Sequence, residues 1–203
     1  MFRKSFRVLL PGLAAVLLLP AANARPANNS TEVNTCSNQT IKGNYAFRIS
    51  GFILAPPPAP MTPPVPPPPP VIVNYRDGVA LTYFDGKTDS EGRGGLWQKD
   101  FIMGNGSFSP NNPDDLDGAS GFNNGETGSY KVFPDCTGVA EIDFPAPPGA
   151  SSGTVILLKL VIAKSGKEIH TIVSSLTPPG ASTSVYVNIH SDAERLEPLI
   201  DHR

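Results

Sequence analysis

The sequence predicts an all-β protein: an antiparallel, up-and-down barrel of about eight strands, with a proline-rich loop inserted in it. Three observations carry that expectation. Apolar and polar residues alternate with a period of two in short stretches along the chain, as half-buried strands require. Turn signals rich in Gly, Pro, Asn and Asp separate those stretches. Helical periodicity is almost absent. Such a pattern fits a sandwich or a barrel, and eight strands in sequential hairpins favour the barrel, which removes exposed sheet edges.

The first 24 residues stand apart from this pattern. Arg3, Lys4 and Arg7 make a basic start, Val8 to Leu19 is mostly apolar, and Ala22-Asn23-Ala24 is a small-x-small cleavage site. This is the layout of a secretory signal, too short to span a bilayer. The expected mature protein is therefore secreted, extracellular or periplasmic, with no membrane insertion of its own. The whole chain has 203 residues, with 16 Lys+Arg against 18 Asp+Glu, and three of the basic residues fall in the leader. The mature chain is left mildly acidic without a basic cluster, which excludes a nucleic-acid partner. Its length suits one domain.

Residues 25–35 are polar and aperiodic, a flexible leader to a barrel expected over 36–190. In the first strand, Asn44 to Ile53, Tyr45, Phe47 and Ile49 share one face. Eleven of the fifteen residues 56–70 are proline, so this segment cannot join a sheet. It reads as a stiff polyproline loop between two strands, or as a ligand for an aromatic groove on a partner. Val71 to Tyr75 resumes strand character. Asp77-Gly78 looks like a bulge or turn, after which Val79, Leu81 and Tyr83 alternate with Ala80, Thr82 and Phe84.

Leu96 to Met103 is the next strand and holds Trp97, the only tryptophan. Residues 104–126, rich in Gly, Asn, Asp and Ser, read as a long loop. Tyr130 and Val132 then alternate with polar neighbours up to the turn Asp135-Cys136-Thr137-Gly138, beyond which Ala140, Ile142 and Phe144 alternate with Glu141 and Asp143. Thr154 to Ala163 is so apolar that it reads as a strand buried on both faces. Ser165-Gly166 turns the chain into Glu168 to Ser175, and Thr183 to Ile189 is the last strand. The tail, 191–203, has room for a short helix turn around Ala193 to Leu196.

The two cysteines, Cys36 and Cys136, stand in an exported chain and outside any Cys-x-x-Cys arrangement, so a disulfide is expected rather than a zinc or redox site.

Several of these stretches resemble the landmarks of a family of uncharacterised exported bacterial proteins. They are Thr35-Cys36-Ser37-Asn38-Gln39-Thr40-Ile41-Lys42-Gly43-Asn44-Tyr45-Ala46-Phe47, then Gly128-Ser129-Tyr130 with Asp135-Cys136-Thr137-Gly138, then Ser165-Gly166-Lys167-Glu168-Ile169-His170. The family is similar to small barrels of the allene oxide cyclase or lipocalin-like kind. The resemblance implies a barrel and export, and no particular activity. The chain departs from it in the proline insert, the loop at 104–126 and the tail.

Chemical motifs are few. Gly149-Ala150-Ser151-Ser152-Gly153 has the spacing of a nucleophile elbow, but a strand, not a helix, is expected after it. Asp114-Asp115-Leu116-Asp117-Gly118 fails as an EF-hand loop, with Pro113 at the first position and Asn124 at the twelfth. His170 and His190 share no face with a second clear metal ligand, so no metal is expected. No cofactor motif occurs. Glu168 and His170 share a strand face and could form an acid/base pair, with solvation as the plainer role.

The expected function is therefore binding of a small hydrophobic ligand inside the barrel, by Tyr45, Phe47, Tyr83, Tyr130 and Phe144. Ile49, Val79, Leu81, Val132 and Ile142 are expected to face the same interior. A small barrel can equally be filled by its own side chains. Whether the protein is an enzyme stays open: a cyclase or isomerase would need an inward polar group such as Arg48 or Glu168. An interaction protein using the proline loop is the third reading.

Overall fold

A computed structural model describes residues 35–56, 69–108, 118 and 120–197. The expected signal segment, the expected leader up to residue 34, the proline segment 57–68, the acidic loop 109–117 and the tail from 198 lie outside the described residues. Nine strands form one sheet among them: β1 (Gly43–Leu54), β2 (Ile72–Phe84), β3 (Gly94–Gly104), β4 (Ser107–Phe108), β5 (Asn123–Val132), β6 (Thr137–Asp143), β7 (Val155–Ala163), β8 (Glu168–Thr177) and β9 (Tyr186–Arg195). All but β4 pair with their chain neighbours in the ring, every pair antiparallel, and β9 returns to β1. The result is a closed eight-stranded up-and-down barrel. The two-residue β4 only extends the end of β3. Helix among the described residues is limited to 3-10 turns, Asn38–Ile41 and Lys164–Gly166.

Residues opposite one another in an antiparallel ladder share a face, so register decides which side chains enter the barrel. Tyr45 lies opposite Thr82 on β2 and Arg195 on β9, and Phe47 opposite Ala80 and Ala193. β2 is one continuous strand, without the break expected at Asp77-Gly78. Gly78 sits opposite Ile49 and Ile102, where a Cβ would come within 2.5 Å of the Ile102 side chain. The glycine is an inward gap filled by its neighbour.

This register corrects the expected face of β2. Ala80, Thr82 and Phe84 point in, while Val79 and Tyr83 lie on the outer surface, 48% and 38% exposed, with Leu81 on that same outer side. The strand carries apolar residues on both faces, so alternation alone did not decide the matter. β7 needs a similar correction: Leu158, Leu160 and Ile162 face in, but Leu157 and Val161 are exposed. β5 starts inside the stretch read as loop. β9 continues through Ser191 and Ala193 to Arg195, so the helix turn expected near Ala193 is strand.

One end of the barrel is sealed. The 3-10 turn places Ile41, fully buried, beneath the strands, and the rings of Tyr45, Phe84 and Tyr130 meet edge to face at 5.6 and 4.9 Å. Asn38 ties this floor to the walls, donating to the Lys87 carbonyl at 2.8 Å and accepting from the Val132 amide at 2.9 Å. The Cys36–Cys136 disulfide, with Cα atoms 4.9 Å apart, fastens the same segment to the β5–β6 turn.

Candidate functional site

Above that floor the barrel encloses a cavity of about 590 Å³. Its apolar wall comes from β6 to β9: Ile142, Phe144, Ile156, Leu158, Val173 and Ile189. Phe47 and Phe84 close it below. Toward the other end the lining becomes more exposed, through Ile53, Leu176 and Pro179. That end lies where β1 runs into the proline segment and β3 into the loop before β5.

The opposite wall, on β2 and β3, sets polar side chains among the apolar Leu96 and Ile102, and β5 backs it. Thr82 Oγ1 donates to Gln98 Oε1 at 2.8 Å, and Asn123 Nδ2 donates to Asp100 Oδ1 at 2.7 Å. Asp100 also shares a hydrogen bond with Glu126. Asp100 is 1% exposed and Glu126 fully buried. Burial pushes the Asp100 carboxyl up to about 6, against the opposing pull of the hydrogen bonds from Asn123 and Glu126. Nearer the mouth, Asn74 and Arg76 line the same wall.

The five residues expected to bind ligand are not brought together. Phe47 and Phe144 line the cavity. Tyr45 and Tyr130 point inward but belong to the sealed floor, below the open space. Burial raises both phenols above their ordinary range, so both stay protonated. Tyr45 Oη donates to the Gly166 carbonyl and accepts from Arg195 Nε at 2.9 Å, with the guanidinium carbon 5.4 Å from its ring centre. Tyr130 Oη accepts from the Gly86 amide at 2.9 Å. These are structural roles. Tyr83 is outside the barrel altogether, because the β1–β2 register turns it outward.

Arg48 and Glu168, the polar groups expected to test for an enzyme, also face out: Arg48 is exposed, and Glu168 pairs with Lys164 on the outer surface. Glu168 and His170 do not pair. His170 Nδ1 lies 2.6 Å from Asp192 Oδ1, and His190 Nε2 lies 3.1 Å from Ser50 Oγ, all on the outside. No group of three metal-ligating side chains occurs among the described residues. The segment Gly149–Gly153 leads directly into β7.

Sequence reasoning missed Arg76, Gln98, Asp100 and Glu126. On β3 the inward positions Leu96, Gln98, Asp100 and Ile102 mix polar with apolar, while Trp97 and Phe101 stand on the outer face. Nothing in that alternation marks which face is inside; only the pairing with β2 does. Comparison of the chain with models of known families, with curated proteins and with solved structures finds no match.

Proposed function

We propose that this chain is an exported barrel that binds a small hydrophobic molecule in its interior. One observation carries the reading: the space above the floor, about 590 Å³ with a largely apolar wall, has the size and lining of small-molecule sites in general. Barrels of eight strands divide into filled ones and ones that hold a single small ligand. This one is filled only at its floor. Export is supported by the disulfide, which persists in oxidising compartments.

The test is calorimetric titration of the purified protein with dodecanol, a terpenoid alcohol and a flat aromatic polyketide. At least one is expected to bind once per chain with a negative heat-capacity change, the mark of apolar burial. Failure of all three would sink the reading. The Asp100–Glu126 pair favours a second reading, proton transfer in a cyclisation or isomerisation of the bound molecule. Turnover of a bound probe that Asp100→Asn abolishes, with binding retained, would separate catalysis from carriage.

A further inference from the structure

We infer that the interior site takes an amphiphile with an anionic head: Arg76 at the mouth holds its carboxylate, and the tail lies on the wall formed by β6 to β9. This rests on the reading that the cavity binds an apolar molecule, and it adds the head group and the orientation.

The observations concern the surroundings of Arg76. Its neighbours across the sheet are Gly51 on β1 and Gly104 on β3, so no side chain flanks it on either side. A Cβ at Gly104 would lie 3.2 Å from Arg76 Nη1 and 3.1 Å from Asn74 Oδ1. The guanidinium and the Asn74 amide therefore lie together over a bare stretch of inner wall. Arg76 makes no ion pair among the described residues, and the buried Asn74 Oδ1 has no hydrogen-bond partner among them.

A guanidinium offers five donors in a planar fork that matches a carboxylate. Arg76 is half-buried, and loss of water lowers its pKa, a cost that an anion beside it offsets.

The rest of the lining fixes the orientation. Deeper polar groups are already engaged with one another, Thr82 with Gln98 and Asp100 with Asn123 and Glu126. The carboxyls of that cluster repel a second anion, so an anionic head belongs at the mouth rather than at depth. The aliphatic side chains of Ile142, Ile156, Leu158 and Val173 face the remaining space. A polar head and an apolar tail are what these two regions accommodate together.

The experiment compares three probes with one tail below their micelle concentrations: dodecanoate, dodecanol and dodecyltrimethylammonium. Dodecanoate is expected to bind about ten- to a hundredfold more tightly than dodecanol, the range for hydrogen bonds to a charged group. The cationic probe is expected to bind worst. Arg76→Gln should bring dodecanoate to the level of dodecanol and leave dodecanol unchanged, while Arg76→Lys should keep part of the preference.

Equal binding of dodecanoate and dodecanol by the wild type would overturn the inference and leave the apolar site standing. So would an undiminished preference in folded Arg76→Gln. Binding of none of the probes would remove both readings together. Should Arg76→Gln fail to fold, the wild-type rank order of the three heads decides.

Discussion

Asp100 shows what closing the barrel does to a single residue. On β3 it is an ordinary strand carboxylate in a stretch read from Leu96 to Met103; opposite Ala80 it is turned inward, where it is buried against Asn123 and Glu126. Its raised pKa has a consequence for stability. The folded chain holds this proton up to about pH 6, whereas the unfolded chain releases it near the usual carboxylate value, about 3.9. Between those values the native state binds more protons, so stability from this group is full below the lower value and is lost as pH rises through the upper one. The expectation is that Asp100→Asn, which keeps an acceptor for Asn123, is more stable than wild type at pH 7.5, and that the difference shrinks toward pH 4.5. Thermal melts of both proteins across that range check it; a difference independent of pH would mean that Asp100 is not a strained carboxylate. None of this was legible in the sequence, because an acid amid alternating residues looks the same on either face until the partner strand is known.

At the scale of elements, legibility followed how one-sided each strand was. Over residues 44–50 and in β6 the large apolar residues fall mainly on one face, and Tyr45, Phe47, Ile142 and Phe144 face inward as expected. β2 and β7 are apolar on both faces, and there the expected face or burial failed. The end of β9 was hidden because Asp192, Glu194 and Arg195 look like tail, although β1 and β8 hold them in register. The disulfide was legible, and the structure adds what it fastens. Cys36 and Cys136 are 100 residues apart and join the floor segment to the β5–β6 turn. In the chain-entropy model a loop of that size is worth about 4.7 kcal/mol, with measured losses of about 2–5. Cys36→Ser with Cys136→Ser is therefore expected to lose stability in that range by denaturant titration, the floor opening first. Intact mass of protein from its native source should show the bond formed and the chain beginning at Arg25. Free thiols, or a retained leader on soluble protein, would count against export.

The molecule as a whole divides its interior between two tasks. The floor is packed as a core, with the Phe84 ring edge to face against both Tyr45 and Tyr130, and with Ile41 and Cys36 buried in the same cluster. The upper half forgoes such packing, and side chains that could interdigitate there border about 590 Å³ of space instead. Interiors normally fill such space, since each buried methylene contributes about 0.8 kcal/mol. A larger apolar side chain pointing into the cavity should thus stabilise the fold while it displaces the ligand. Val173, which lines the cavity opposite Leu158 on β7, is a suitable position. Val173→Phe is expected to raise the melting temperature of the free protein by about 2–4 °C, the shift for roughly 1 kcal/mol in a chain of this size. The same substitution should weaken dodecanol and dodecanoate binding at least tenfold. A core already closed would respond in the opposite way: overpacking costs about 1–3 kcal/mol, and there would be no ligand affinity to lose. Melting and titration of this one variant therefore decide whether the barrel keeps its interior open for a guest.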